Sequence, residues 1–255
     1  MIVLAGKEPN RDSSMPASIP TYTSNGFSLV IPAYNEQANI GPIVLRIVAS
    51  LAPLNIPYEI IVVDDRSKDS TTAEVERMGA MHPVRLLRKQ GAQGKAFSLL
   101  EGFATAKYQT LGMIDADLQY PPEALPGMLA LLASGGDVVV ACRLYEKGNF
   151  LREFLSNGFT FVFGRLLHGL TCDIQSGLKL FRSTAFDPTQ IDPTPWSFDL
   201  DFLVAARHKG CTITDYPIEF GKRVEGESHV DVVTTSWELA KAAVKLKFRP
   251  KNSLP

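Results

Sequence analysis

"FSLVIPAYNEQANI", residues 27 to 40, runs from an apolar stretch straight into a polar turn, and the content of that turn decides between folds. The apolar run has the length of a buried strand, and residues 39 to 51 carry the spacing of an amphipathic helix. A dinucleotide fold needs glycines in this first strand-to-helix turn so that backbone can approach a pyrophosphate. "PAYNEQANI" has none, which disfavours a Rossmann oxidoreductase. Further on, "KQGAQGKAF" fails as a phosphate loop twice: Lys89 stands five residues before Gly94, and Ala96 follows Lys95 where Ser or Thr is needed.

Outward from this unit the pattern repeats. "YEIIVV" precedes a helical stretch at 69–79, "VRLL" one at 94–107, and "LGMI" one at 122–133, after which comes "DVVVA". Short continuous apolar runs separated by amphipathic segments imply an α/β fold, a mostly parallel twisted sheet with helices on both faces. In such sheets ligands bind beyond the carboxyl ends of the strands, where crossovers diverge. "PAYNE", "DDRSKDS" and "DADLQ" each follow a strand directly, so they are expected to meet on one rim.

The second half is less regular. "SGLKLF" and "TITDYPIEF" read as strands, "FDLDFLVAARHKG" as a helix ending at Gly210, and the aromatic stretch 149–170 as a further helix. Residues 1–26 read as a flexible arm, 27–230 as one catalytic domain, and 231–255 as a basic helix and tail.

Of 255 residues, 45% are apolar and 21% charged, ordinary values for a globular domain of this size. A net charge of −1 gives no global attraction to nucleic acid. Cys142, Cys172 and Cys211 are widely spaced, which argues for a reducing compartment and against a disulfide framework or a CxxC zinc site. No run of about 18 apolar residues is present, so no segment reads as a bilayer span.

The chemistry centres on "DADLQYPPE". In extended backbone Asp115, Asp117 and Gln119 point the same way and offer oxygens to one hard cation. Mg2+ or Mn2+ is the fitting guest, because such ions take one or two carboxylates and leave positions for water and substrate phosphates.

"IPAYNEQANI", "IIVVDDRSKDST", "GMIDADLQYPPE", "DIQSGLKLFR" and "KRVEGES" resemble, in order and spacing, the inverting glycosyltransferases of family 2. Within them the chain is similar to the dolichyl- or polyprenyl-phosphate hexose synthases, over roughly residues 27 to 230. The resemblance implies a GT-A-type nucleotide-sugar fold and transfer of a hexose from GDP-mannose or UDP-glucose to a polyprenyl or dolichyl phosphate. It places Pro32, Tyr34, Glu36, Asp64, Asp65, Lys95, Asp115, Ala116, Asp117, Ser176 and Gly177 around the nucleotide sugar. Asp115, Asp117 and Gln119 match the metal and diphosphate positions, and Arg143, Arg152, Ser156, Arg223 and Ser228 the lipid phosphate positions. Asp115, Asp117, Arg143 and Arg223 are then the residues expected to carry the reaction.

Other readings of single residues stay open. Asp64 also suits a turn cap, Arg143 and Arg152 surface ion pairs, and Tyr34 rim packing. The arginines nevertheless suit an anionic acceptor: a phosphate monoester, with a second pKa of about 6, needs cationic positioning rather than a base. A hydroxyl acceptor would instead call on Asp173, Asp199 or Asp201. That rival, a family-2 enzyme acting on a glycan or polysaccharide, stands beside a noncatalytic nucleotide-sugar binding module.

Phe150, Leu151, Phe154, Leu155, Phe159, Phe163, Leu166 and Leu167, interspersed with Arg152 and Arg165, suit either an interfacial helix or a buried one. With the basic tail they lead us to expect peripheral attachment at the cytoplasmic face of a membrane; integral anchoring would need a partner subunit or further sequence. Three positions depart from the usual family pattern: His229 replaces a lysine, Cys142 a serine, and Ser70 a glycine. Donor identity therefore stays open.

Overall fold

The computed structural model of the chain describes residues 26–144, 169–191 and 198–221. Most of the aromatic stretch 149–170, Arg152, Ser156, Arg223, Ser228, His229 and the tail from 231 lie outside the described residues.

The opening strand β1 spans Phe27–Ala33 and is followed by α1, Gln37–Leu51. Then come β2 Tyr58–Asp64, α2 Thr71–Gly79, β3 Val84–Arg88, α3 Lys95–Ala104, β4 Thr110–Met113, α4 Leu125–Ala133 and β5 Val138–Leu144. The chain continues with β6 Lys179–Arg182, α5 Phe198–His208 and β7 Ile213–Glu219. The strands form one sheet in the order β3-β2-β1-β4-β6-β5-β7.

All strand pairs are parallel except those of β6, which runs antiparallel between β4 and β5. Alternate residues of each strand supply two cores. Leu29, Ile31, Ile60 and Val62 pack with Ile43 and Ile47 of α1, Val75 of α2 and Met128 of α4. Val30, Ile61 and Val63 face the other way, onto Leu99 and Phe103 of α3 and Phe202 of α5. Period-2 alternation in strands apolar on both sides thus puts helices on both faces. The approach of α3 is close: a β-carbon on Gly102 would lie 2.5 Å from Val30 Cγ1. On the second face Phe103, Phe181 and Phe202 form part of an aromatic cluster, with centroids 5.2 Å apart for Phe103–Phe181 and 4.6 Å for Phe181–Phe202.

Residues 37–54 are long and apolar enough, by composition, to cross a bilayer. Here they form α1 and a short 3-10 turn, and Ile40, Ile43, Val44, Ile47 and Leu51 are buried against the sheet. Burial of each such side chain contributes about 2 kcal/mol, which accounts for the hydropathy without a membrane.

Helix boundaries differ from the sequence expectation by a few residues for local reasons. The second helix begins at Thr71 rather than 69 because the Asp69 carboxylate accepts from the backbone N–H and hydroxyl of Thr71, at 3.0 and 2.5 Å, which turns the chain first. The two crossovers around β1 diverge. One leads to β2 on one side, whereas the chain later returns to place β4 on the other. The carboxyl ends of β1 and β4 therefore flank the switch point.

Candidate active site

Two loops beyond β1 and β2 are tied together at the rim. Asn35, in a left-handed conformation at φ 55°, donates its N–H to Ser67 Oγ at 2.9 Å and accepts from the Lys68 N–H at 2.8 Å. The Glu36 N–H donates to Thr71 Oγ1 at 2.8 Å, and the Ser70 N–H to Gln37 Oε1 at 3.0 Å. These bonds fix Tyr34, which is 43% exposed, beside the end of β2. Pro32 is a β1 residue paired with Val63. Glu36 Oε2 accepts from Asn39 Nδ2 at 2.6 Å.

The adjacent acids differ in role. Asp64 accepts from the Ser67 N–H at 3.3 and 3.4 Å, so the turn-cap reading holds for it. Asp65 pairs with buried Lys89 at 3.0 Å and accepts from the Gly94 N–H at 2.7 Å, which anchors the start of α3. Its other oxygen, Oδ1, is buried without a hydrogen-bond partner among the described residues.

Lys95, the first residue of α3, reaches Asp115 Oδ1 at 2.6 Å. Burial alone would favour a neutral amine there, but the carboxylates of Asp115 and Asp199 outweigh it and raise the lysine well above its usual range. The amine is thus a fixed positive charge at the end of β4.

The extended geometry expected for Asp115, Asp117 and Gln119 is not kept. The chain turns at Ala116 and Asp117, and Leu118 adopts a left-handed φ of 64°. Asp117 Oδ1 accepts from the Gln119 N–H at 3.2 Å, and the Gln119 side chain donates to the Gly221 carbonyl at 3.3 Å. Period-2 alternation therefore does not align the three side chains. Among the described residues no group of three His, Cys, Asp or Glu is placed to hold an ion by itself. Two carboxylates and an amide oxygen fit a hard divalent ion that completes its shell with water and substrate phosphate. Asp115 and Asp117 would hold it, with Gln119 as the third oxygen donor.

Gly177 closes the other side of Asp115. A β-carbon there would fall 2.5 Å from Asp115 Cγ and 2.7 Å from Tyr120 Cε2. Tyr120 is buried, and burial holds its phenol protonated well above the usual range, with Asp115 and Asp173 adding to the effect. Ser176 is fully buried, and its hydroxyl bonds within its own turn, to the Leu178 carbonyl at 3.1 Å and from the Leu178 N–H at 3.3 Å. Its contribution is to shape the turn.

Arg143 makes a two-point pair with Asp173, Nε to Oδ2 at 2.6 Å and Nη2 to Oδ1 at 2.9 Å, and lies 5.3 Å from the Phe220 ring centroid. Phe220 in turn meets Tyr120 edge-on at 4.9 Å. The ion-pair reading of Arg143 is the observed state, at the rim and 11% exposed rather than out on the surface. Of the carboxylates considered as bases, Asp173 is committed to Arg143 and Asp199 to Lys179 at 2.6 Å, while Asp201 is buried. Sequence reasoning missed Lys179, although a lysine inside the apolar run "GLKLF" was a visible signal.

Residues 28–188 match the family model Glycosyl transferase family 2. The chain is 30% identical over 209 residues to a dolichol-phosphate mannosyltransferase of Pyrococcus furiosus, covering 79% of this chain but 58% of that protein's length. It is 27% identical over 241 residues to the dolichol-phosphate mannosyltransferase of Saccharomyces cerevisiae, covering 89% and 90% of the two chains. Among solved structures, glucosyl-3-phosphoglycerate synthase from Mycobacterium tuberculosis, in complex with Mn2+ and UDP-glucose, superposes with a TM-score of 0.69 at 17% identity over 91% of this chain and 83% of its own. Mannosyl-3-phosphoglycerate synthase from Rubrobacter xylanophilus gives 0.66 at 18% identity, over 86% and 73%. These likenesses establish the GT-A arrangement of sheet and helices. The family model spans residues 28–188, which include Tyr34, Asp64, Lys95, Asp115, Asp117, Arg143 and Gly177 of the rim, and the chain belongs to glycosyltransferase family 2.

Proposed function

We propose that the protein transfers a hexose from a nucleotide sugar to a polyprenyl or dolichyl phosphate, inverting the anomeric carbon. The observation that carries this is the meeting, at one switch point, of the tied Tyr34–Glu36 and Asp64–Ser67 loops with the Lys95–Asp115 pair. The names of the relatives, 27–30% identical, favour mannose as the sugar and dolichol phosphate as the acceptor.

In the proposed reaction an oxygen of the lipid phosphate attacks the anomeric carbon, the bond from that carbon to the nucleoside diphosphate breaks, and the diphosphate leaves. A divalent ion, when bound, neutralises charge on the departing diphosphate. Lys95 supplies a permanent positive charge beside the same carboxylate, and Asp64 and the tied loops border the nucleotide. Arg143, held in place by Asp173, presents its positive charge to the anionic acceptor, with Arg152 and Arg223 as further partners.

The ion pairs of Asp173 with Arg143 and of Asp199 with Lys179 support a phosphate over a hydroxyl acceptor, because both carboxylates are already engaged by side chains of the protein. We place the enzyme peripherally at the cytoplasmic face of a membrane, where such an acceptor presents its phosphate. Incubation with nucleotide sugars, a short polyprenyl phosphate and Mg2+ or Mn2+, with the lipid product identified by mass, tests the reading.

A further inference from the structure

Beneath this site lies a buried ammonium that the steps above do not use. Lys179 stands in β6 between Met113 of β4 and Val140 of β5, and is 0% exposed. A charge in that position carries a large desolvation cost, and a well-packed apolar side chain of similar volume often serves stability as well or better. Its partners indicate what the charge accomplishes. The Lys179 ammonium donates to Asp199 Oδ1 at 2.6 Å and to the Ser176 backbone carbonyl.

Those two partners belong to separate segments, the first turn of α5 and the turn that carries Gly177. Asp199 lies in the first turn of α5, whose Phe198 stacks at 6.2 Å on Phe103 of α3, the helix that begins at Lys95; Lys95 pairs with Asp115 at 2.6 Å. Ser176 precedes Gly177, which abuts Asp115 Cγ, and the Ser176 N–H is bonded to the carbonyl of Asp173, the partner of Arg143. One ammonium thus joins the start of α5, packed on α3, to the turn that abuts Asp115.

We propose that Lys179 is a positioning residue: through Asp199 and the Ser176 carbonyl it sets Lys95 and Gly177 on either side of Asp115, and so fixes the carboxylate that meets the donor. The inference rests on the functional reading above and adds the groups that set its geometry. Because the lysine contacts neither substrate, its effect falls on the reaction step rather than on binding. A lysine that merely filled the sheet would influence all properties through stability alone.

The test uses the full chain with Lys179→Met and Asp199→Asn, each checked for folding by circular dichroism and thermal unfolding. Both variants should lose about 10- to 100-fold in kcat. Both KM values should stay within about threefold of wild type, as for an interaction made in the transition state. In a Lys95→Met background the Asp199→Asn change should have little further effect, because the two act along one path. A metal-free crystal structure of Asp199→Asn should show the turn that carries Gly177 displaced from Asp115.

A folded variant with wild-type kcat, an unmoved Gly177–Asp115 contact, or a loss fully additive with Lys95→Met overturns the inference. Should Lys179→Met fail to fold, Asp199→Asn decides by the same readouts. A wild-type protein that transfers no hexose to lipid phosphate overturns the functional reading instead, and the crystal structure of Asp199→Asn then decides the positioning claim.

Discussion

Gly177 and Asp115 touch so closely that no side chain fits between them: a β-carbon on the glycine would lie 2.5 Å from Asp115 Cγ. The turn that carries Gly177 thereby sets where the Asp115 carboxylate can stand. We predict that Gly177→Ala folds with a loss of about 1–3 kcal/mol from overpacking. Sugar transfer should fall by at least about tenfold, because Asp115 or Tyr120 must shift. Urea unfolding and initial rates measured on one preparation separate the two effects, and a variant as active as wild type would show that the contact is irrelevant to the reaction.

Removing the metal, or one of its carboxylates, should stop the reaction. Asp117→Asn, like chelation of wild type, is expected to abolish sugar transfer while leaving the circular dichroism spectrum unchanged, and Mn2+ or Mg2+ should restore the chelated wild type. Full turnover in chelator would leave Lys95 as the cation that meets the diphosphate.

Arg143→Lys keeps the charge but loses the planar fork that now spans Asp173 at 2.6 and 2.9 Å. If the guanidinium orients the lipid phosphate, the KM for that acceptor should rise at least about tenfold, with the donor KM little changed. Equal effects on the two substrates would assign Arg143 to the architecture of the rim. Arg152→Ala and Arg223→Ala are expected to follow the acceptor pattern.

A fourth expectation concerns stability in acid. Glu59, buried near the start of β2, accepts from Ser28 Oγ at 2.7 Å, the Lys107 N–H at 2.7 Å and Arg85 at 3.0 Å. Burial works against its ionisation, but these donors outweigh it and hold the carboxyl below its ordinary value of 4.5. A depressed folded value means that the stabilisation is fully present above about 4.5 and is lost as the pH falls through the folded value. Urea unfolding of wild type across that range should show the decline. Glu59→Gln should flatten it and lower stability near neutrality by about 2 kcal/mol. Parallel pH profiles for the two proteins would remove Glu59 as a cause.

Much of this architecture was legible in the chain, and the exceptions are physical. Strands β1 to β5 declare themselves as apolar runs because parallel strands covered on both faces need no polar alternation. The reversal of β6 is not written in "KLFR": it follows from where the preceding turn leaves the chain, since residues 173–177 already lie at the rim and the strand must run away from it. Nothing in "DADLQY" announces the left-handed Leu118, where glycine or asparagine would have been the usual sign, so the three oxygen donors were expected in a line they do not form. The pairing of Arg143 with Asp173 joins residues 30 apart that had been assigned separate tasks. Tertiary proximity of that kind leaves no mark on either local stretch.

The central claim is that the rim at β1 and β4 delivers a hexose to an anionic lipid. The most direct measurement incubates the protein with a panel of nucleotide sugars, a short polyprenyl phosphate and Mg2+ or Mn2+, and identifies the product by mass and by the configuration of its anomeric carbon. Our account predicts a hexosyl phospholipid of inverted configuration, with mannose the preferred sugar. Transfer to a hydroxyl acceptor while the lipid phosphate is left untouched would contradict it.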